Sequence, residues 1–301
     1  MNNRWKRIDE IAMSIQTELE TISRRSFLKK AGAAFMAVCA SLPVYSFFLE
    51  RFWLDITSVH ITFNGLPKAF SGMRIVHISD LHMGNFYHTN HLKTVVEKVN
   101  QLKPDLICFT GDLVEDKIDM LKDCIPLLKE LTAPLGKISI LGNHDYRIGK
   151  EREIIKCLTS SGFIFLKNSH TSITRMGGTV FIAGVDDMFG GDPNIPEALQ
   201  GIPKNQFTIL LAHEPDVADT ASKHPVHLQL SGHSHGGQIR LPIAGPLFTP
   251  AGAQKYVKGL YSINSSNFLL YVNRGIGTTY LPFRFDCRPE ITMITLTSAF
   301  H

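Results

Sequence analysis

The chain has 301 residues, of which 44% are hydrophobic and 19% are charged, so it can bury one substantial core and carry an appendage. Its net charge of +4 is mild, and much of the positive excess precedes residue 31. A broad nucleic-acid-binding surface is therefore not expected. The five cysteines show no C-x-x-C spacing and their number is odd, so composition implies no disulfide framework.

The N-terminal leader carries two separate patterns. Aliphatic residues at helical spacing predict a short amphipathic helix within residues 1–22. They are Ile8, Ile11, Ile15, Leu19 and Ile22. Residues 23–29 then resemble the twin-arginine export signal, S-R-R-x-F-L-K, at all seven positions. This resemblance implies the twin-arginine export machinery as a partner, which transports folded proteins.

An apolar segment follows the export pattern. Residues 31–49 contain no charged residue and have about the length that crosses a bilayer, roughly 17 to 25 residues. Phe52 and Trp53 come next, and we interpret them as interfacial aromatics. The alternatives are a cleaved signal, an uncleaved anchor, a lipid-modified Cys39, or a helix buried in the catalytic domain. We predict a twin-arginine signal or membrane anchor over residues 1–53, with the protein at the cell membrane, on its surface or in the cell envelope.

From residue 54 onward, the apolar residues follow strand and helix periodicities that alternate along the chain. Strands are predicted at 54–63, 74–79, 106–110, 137–141, 163–166, 171–175, 179–185, 207–212, 227–230, 238–241, 256–261, 268–273 and 291–296. Helices are predicted at 89–102, 119–131 and about 150–160. The predicted fold class is α/β, with two packed mixed β-sheets flanked by helices in a four-layer sandwich over residues 54–301. A loop or short helix at 186–203 is expected to cover the site, and the segment 242–252 to form a second element of its rim.

Metal-binding residue types follow the ends of five apolar runs. In chain order they are Asp80, His82, Asp112, Asn143, His144, His213, His233 and His235. Two divalent cations about 3.5 to 4 Å apart need a bridging carboxylate, and imidazole or amide ligands around it. Asp112 suits the bridge. Because strands deliver such residues to one edge of a sheet, we expect them to converge in space.

Each element also has a structural interpretation when taken alone. His213 could be a buried histidine bonded to the backbone, Asp112 a turn residue, and Asn143 a turn former or helix cap. The ordered series is more specific than its parts. We therefore favour the metal site.

The series D-x-H, G-D, G-N-H-D, an isolated His and G-H-x-H resembles the calcineurin-like metallophosphoesterase superfamily, over roughly residues 73–296. Residues 273–290 resemble the closing segment of a bacterial subgroup with twin-arginine exported members. The resemblance implies a first metal on Asp80, His82 and His235, and a second on Asn143, His213 and His233. It also implies that Asp112 bridges the two metals. A hydroxide between the ions would attack the phosphorus, and His144 would act on the leaving oxygen as a general acid.

These observations predict dinuclear metal-dependent hydrolysis of a phosphomonoester or phosphodiester at or outside the cytoplasmic membrane. The alternatives are a lipid-linked nucleotide pyrophosphatase of the UDP-diacylglucosamine type, and a phosphate-binding module without catalysis. The two divalent ions could be Mn, Fe or Zn, since the ligand types suit all three. Two further roles stay open: Asp145 as the residue that orients His144, and Arg274 or Arg284 as a phosphate contact or as the partner of a nearby carboxylate.

Overall fold

The structure is a computed structural model that describes residues 24–263 and 267–299. The amphipathic helix predicted within residues 1–22 lies outside these ranges. The chain divides into two compact units, with the boundary between Tyr45 and Ser46.

Helix α1, Arg24–Phe48, occupies the described part of the first unit and continues through Pro43. Its side chains are almost all exposed. The segment Arg24–Phe52 is long and apolar enough to cross a membrane.

A 3₁₀ turn, Glu50–Phe52, lies in the second unit and precedes its first strand. The Phe52 ring stacks on His91, with the ring centroids 4.5 Å apart, and packs against the core. Phe52 is therefore partly buried against this core. Trp53 is about half exposed, and the Arg288 guanidinium lies 3.8 Å from its ring centroid.

Two six-stranded sheets are present among the described residues. The strands in chain order are β1 (Asp55–Phe63), β2 (Met73–Ile78), β3 (Leu106–Phe109), β4 (Lys137–Ser139), β5 (Phe163–Phe165), β6 (Ser169–Arg175), β7 (Gly178–Gly184), β8 (Phe207–Leu211), β9 (Leu228–Ser231), β10 (Arg240–Leu241), β11 (Gly245–Pro246), β12 (Gly259–Ser262), β13 (Leu269–Val272) and β14 (Glu290–Ser298). The first sheet has the order β1-β14-β2-β3-β4-β5 and the second β12-β13-β9-β8-β7-β6, while β10 and β11 form a small hairpin. Both sheets are mixed, since each contains parallel and antiparallel pairs.

The remaining helices connect the strands. They are α2 (Thr89–Gln101), α3 (Leu121–Lys129), α4 (Asn143–Arg147), α5 (Glu151–Ser160), α6 (Ile195–Ala198) and α7 (Ala218–Ala221). In α2 the apolar residues recur three and four apart, so one face packs on the first sheet while the polar face meets solvent.

Three apolar clusters separate the layers. The central cluster takes residues from both sheets, such as Ile75 of the first and Ile209 of the second. A second cluster joins the first sheet to α2, α3 and α5, and a third covers the other face of the second sheet. The predicted arrangement of two mixed sheets flanked by helices is confirmed.

Two predicted strands begin two or more residues later than expected. The strand predicted at 238–241 begins at Arg240, and the difference is larger for β12. The sequence predicts a strand at 256–261, whereas β12 begins at Gly259. The Asp216 carboxylate accepts hydrogen bonds from the backbone N–H groups of Gln254, Lys255 and Tyr256. These donors are thereby kept out of the sheet, because a carboxylate competes with a neighbouring strand for them.

Candidate metal centre

The predicted site residues leave the sheets at the ends of five strands. Asp80 and His82 follow β2, Asp112 follows β3, and Asn143 and His144 begin α4 after β4. His213 follows β8, and His233 and His235 follow β9. Because β2, β3 and β4 run parallel, and β8 runs parallel to β9, their carboxyl ends bring these residues to one place.

Asp112 lies at the centre of the cluster. Its Oδ2 atom is 3.4 Å from Nε2 of His82 and 3.2 Å from Nε2 of His213. Asp80 Oδ1 lies 3.3 Å from Nε2 of His235, and the Nε2 atoms of His82 and His235 are 3.0 Å apart. Potential ligand atoms therefore converge from both sheets on a space close to one carboxylate.

Backbone carbonyl groups fix the orientation of two of the imidazoles. Nδ1 of His213 lies 2.6 Å from the Thr110 carbonyl oxygen, and Nε2 of His233 lies 2.8 Å from that of Ala251. The opposite ring nitrogens are left for another ligand, as outer contacts do in metal sites. His213 Nε2 and Asn143 Oδ1 are buried and have no hydrogen-bond partner. Because buried polar atoms are normally satisfied, this donor set fits divalent metal ions.

Burial and charge act in opposite directions on these groups. Burial lowers the pKa of His82, but the carboxylates of Asp80, Glu115 and Asp112 outweigh it and raise that pKa to about 10. Burial, reinforced by the charges of His82 and Arg284 and only partly offset by Asp80, lowers the pKa of His235 to about 4.

Burial raises the pKa of Asp112, but the nearby imidazoles of His213, His82 and His144 have a larger opposite effect and hold this pKa well below its usual value. The carboxylate is therefore ionised and electrostatically coupled to several imidazoles. Bound cations would replace the protons that these imidazoles otherwise take up.

Five of the seven predicted metal ligands adopt left-handed backbone conformations. Their φ angles are 54° for Asp80, 46° for His82, 57° for Asp112, 64° for His233 and 49° for His235. Such angles are uncommon outside glycine and cost free energy, of order 1 to 3 kcal/mol each. The concentration of this strain in one cluster is typical of a functional site.

Two glycines allow the loops to approach each other closely. A Cβ atom on Gly142 would lie 2.6 Å from Cε1 of His213 and would overlap Asp112 Oδ1. A Cβ atom on Gly232 would overlap the Ser79 hydroxyl and the Asp80 carboxylate. Neither position therefore has room for a side chain.

Glu115 is a site residue that the sequence analysis missed. Its Oε2 atom lies 2.6 Å from Nδ1 of His82 and 3.0 Å from Nδ1 of His144, so one carboxylate contacts a predicted ligand and the predicted acid. Burial raises the pKa of Glu115, but His144 and His82 outweigh it and hold the pKa far below its usual value. The available signal was its position three residues after Asp112 on the same loop.

Asp145 does not contact His144 in the way considered above. Its carboxylate accepts hydrogen bonds from the backbone N–H groups of Asp112, Leu113, Val114 and Gly142. Burial and the Asp112 charge raise its pKa, and these bonds oppose the rise. Asp145 thus fixes the loop after β3, while Glu115 contacts His144.

Arg274 and Arg284, the two candidate phosphate contacts, bind other groups of the protein. Arg274 Nε lies 2.8 Å from the Glu290 carboxylate. Arg284 is fully buried and donates to backbone carbonyls, including those of Gly277 and Cys287. Since Arg274 pairs with Glu290 and Arg284 is enclosed by carbonyl groups, neither is available to a phosphate.

The cluster opens into a cavity of about 670 Å³. Polar site residues on its wall include Asp112, Asn143, His144, His233 and His235. Much of the remaining wall is apolar and comes from Ile239, Leu247, Phe248, Pro250, Tyr280 and Leu281. This composition suits a ligand with a charged end and an apolar end.

Fold and site together define a metallophosphoesterase. The model of the family described as calcineurin-like phosphoesterase matches residues 73–237, and the chain belongs to this family. It is a metal-dependent phosphoester hydrolase, as the named activities of its relatives also support.

Three relatives illustrate the similarity. The chain is 40% identical to the metallophosphoesterase YkuE of Bacillus subtilis over 287 residues, covering 93% of this chain and 99% of YkuE. It is 31% identical to the phosphodiesterase YaeI of Escherichia coli, covering 91% and 99% of the two chains. It is also 31% identical to the UDP-2,3-diacylglucosamine pyrophosphatase LpxG of Chlamydia trachomatis, covering 76% and 86%.

Proposed function

We propose that the protein hydrolyses a phosphomonoester or phosphodiester at a centre of two divalent metal ions. One ion would lie on Asp80, His82 and His235, and the other on Asn143, His213 and His233. The observation that carries the proposal is the position of Asp112, whose Oδ2 atom lies within 3.4 Å of a ring nitrogen from each set. A carboxylate between two ligand groups is what a dinuclear centre requires.

When bound, the two cations supply positive charge at the phosphate and lower the pKa of the attacking water. The residues of the chain do the rest. His144 lies on the cavity wall, where its Nε2 atom is 3.3 Å from the Thr279 hydroxyl and can donate a proton to the leaving oxygen. Glu115 Oε2 lies 3.0 Å from Nδ1 of the same ring and fixes its orientation toward the cavity.

The first test is substitution of the bridge. Asp112→Asn removes the charge shared by both ligand sets, so we expect loss of turnover of 4-nitrophenyl phosphate and bis-4-nitrophenyl phosphate, together with loss of bound metal. Asp123→Asn, at an exposed carboxylate on α3, is the matched control and should keep both. Metal analysis of protein made in its native compartment identifies the ions as Mn, Fe or Zn. Turnover retained by Asp112→Asn would contradict the proposal.

We further propose that residues 1–53 direct or anchor the protein and that residues 54–301 act at or outside the cytoplasmic membrane. The twin-arginine pattern at 23–29 and the apolar segment Arg24–Phe52 support this location. Replacing Arg24 and Arg25 with lysines should leave the protein in the cytoplasm of the producing cell. Export of that variant at the normal rate would show that the twin-arginine machinery is not used.

A second candidate reaction is hydrolysis of a lipid-linked nucleotide of the UDP-diacylglucosamine type. The apolar wall of the cavity favours it, because Leu247, Phe248 and Leu281 can contact an apolar substituent next to the phosphate. Comparison of kcat/KM for such a lipid nucleotide and for soluble diesters separates the two candidates. Equal values would leave the apolar wall without a role in substrate choice.

A further inference from the structure

An apolar surface flanks the mouth of the cavity. We call it the apolar rim, and it consists of six exposed residues: Leu241, Ile243, Leu247, Phe248, Tyr280 and Leu281. The first four belong to the β10–β11 hairpin and the loop after it, and the last two to the loop before β14. Residues 241–254 and 275–283, which supply the rim, contain no charged residue.

The Gln238 side chain and nearby backbone hydrogen bonds connect the two halves of the apolar rim. Gln238 donates from Nε2 to the carbonyl oxygens of Thr279 and Leu281, at 3.1 and 2.9 Å, and accepts from the Thr279 N–H group at 3.0 Å. The connection continues in the backbone, where the Arg240 N–H group donates to the Phe285 carbonyl oxygen and the Phe285 N–H group to that of Gln238. The rim is therefore one fixed surface, rather than two independent loops.

Exposure of this apolar surface to water is unfavourable in free energy. Ile243 at the hairpin tip has a relative exposure of 110%, and its φ angle of 71° is unfavourable for a β-branched residue. Phe248 and Tyr280 have relative exposures of 68% and 72%. Exposed apolar residues grouped beside a cavity mark an interaction surface, whereas single ones need no explanation.

The chain itself indicates what covers the apolar rim. The Ser46 hydroxyl donates to the Arg284 carbonyl oxygen at 2.6 Å, and the rings of Phe47 and Phe283 are 5.5 Å apart. Ser46 and Phe47, which belong to the second unit and to the apolar segment Arg24–Phe52, thereby contact residues two to three positions from Leu281 of the rim. At the other side of the rim, the Arg147 guanidinium lies 5.8 Å from the Tyr280 ring. An aromatic ring next to a cation at the border of an apolar surface is typical of the headgroup level of a membrane.

We propose that the apolar rim inserts into a phospholipid bilayer and places the mouth of the cavity at the membrane surface. The site would then take its phosphoester from the lipid phase. The docking surface goes beyond the proposed function, and only the turnover assay below rests on that function.

The first experiment measures the position of the rim without using activity. Full-length protein is reconstituted in bilayer discs of phosphatidylethanolamine and phosphatidylglycerol, with Cys39→Ala to remove the exposed thiol, since the other four cysteines are buried. A single label is attached at Ile243→Cys or at Met176→Cys. Met176 is the matched control, because it lies at the tip of another hairpin, has a positive φ of 46° and is 87% exposed.

We expect nitroxide lipids to quench the label at position 243, and aqueous iodide to quench the label at position 176. Iodide quenching of both labels to the same extent would overturn the proposal. Shielding of position 243 from iodide without quenching by nitroxide lipids would also overturn it, because a protein partner would then cover the rim.

The second experiment measures turnover of a long-chain alkyl 4-nitrophenyl phosphodiester in the same discs. Ile243→Asp introduces a charge into the apolar rim. Aspartate tolerates the left-handed backbone conformation at this position, so the hairpin should keep its shape. We expect about a tenfold loss on this substrate, comparable to the transfer of one aliphatic side chain from lipid to water. Turnover of soluble bis-4-nitrophenyl phosphate, and both activities of Met176→Asp, should be unchanged.

An equal loss on soluble and bilayer substrates would show that position 243 acts on the site and not through the membrane. If wild type hydrolyses neither substrate, the proposed function fails, and the labelling experiment still decides the docking surface.

Discussion

Glu115→Gln tests whether one carboxylate positions two histidines of the centre. The substitution keeps the size of the side chain and removes its charge. It leaves Nδ1 of His82 and Nδ1 of His144 facing a neutral group at the positions where the carboxylate lies 2.6 and 3.0 Å away. Both the binding of one metal and the donation of the leaving-group proton should therefore weaken.

The size of the effect follows from these two contacts. A hydrogen bond to a charged group contributes about 1.5 to 3 kcal/mol and a neutral one about 0.5 to 1.5 kcal/mol, so each contact loses roughly 1 to 1.5 kcal/mol. Loss of both contacts together corresponds to about a 10²-fold loss of turnover rate, since 1.36 kcal/mol is a factor of ten in rate. This agrees with the losses of roughly 10- to 100-fold in metal affinity or activity that follow substitution of residues bonded to metal ligands.

The assay compares leaving groups. A 4-nitrophenolate leaves without help from an acid, whereas an alkoxide needs a proton, so Glu115→Gln should reduce kcat for an alkyl phosphodiester about tenfold more than for bis-4-nitrophenyl phosphate. His144→Gln should show the same dependence, and the double variant should lose little beyond either single one. Asp116→Asn is the control, because this neighbouring carboxylate is exposed and accepts a hydrogen bond from the Asn85 side chain.

Two results would refute this reasoning. If Glu115→Gln reduces kcat for both substrates equally at saturating metal, the carboxylate does not act through His144. If the losses of Glu115→Gln and His144→Gln multiply in the double variant, the two residues act independently. Unchanged metal affinity would remove the contact with His82 from the explanation.

Three further predictions concern the site and the core. Gly142→Ala should reduce kcat by about 10²-fold or more, because the added Cβ atom would displace His213 and Asp112. Gly32→Ala is the control and should leave kcat unchanged, because the space around Gly32 is open. Full activity of Gly142→Ala would show that the loops can separate freely. Removal of the metals by chelation should abolish activity and lower the unfolding temperature, and resupply at 100 times Kd should restore about 2.7 kcal/mol of stability, as measured by calorimetry. Phe207→Ala should lower the free energy of unfolding in urea by about 3 to 5 kcal/mol, because this buried ring packs on Phe63 between the sheets, whereas Ile164→Ala at an exposed position should change it by less than about 0.5 kcal/mol.

Much of the fold could be predicted because its elements have regular apolar periods. Helix α2 was predicted within one residue, and the ends of β6 and β7 were predicted within two residues. Prediction failed where tertiary hydrogen bonds override local pattern. Asp216 binds the N–H group of Tyr256 and the Tyr261 hydroxyl accepts from those of Val257 and Lys258, so β12 begins late. The five-residue helix α4 is too short to show a period.

The site could be predicted in part, because residue types and their order carry the chemistry of metal binding. The side chains that support the ligands could not be predicted. Glu115, Asp145 and Arg274 are all charged residues close to the motifs, and the sequence alone offers several partners for each. Only the distances separate Glu115, which contacts His144, from Asp145, which binds the backbone.

The convergence of the first ligands has a cause that a strand pattern does not show. Alternation along β2 predicts that Asp80 and His82 lie on one side, but both residues follow the strand in left-handed conformations. The Asp80 N–H group donates to the Gly111 carbonyl oxygen and the His82 N–H group to that of Asp112, each at 3.0 Å. The loop after β2 therefore runs along the loop after β3, and backbone bonds set the distance between Asp80, His82 and Asp112. Because the backbone holds this arrangement, a ligand can be replaced without dispersing the others, so loss of function on substitution reports on the metals and not on the fold.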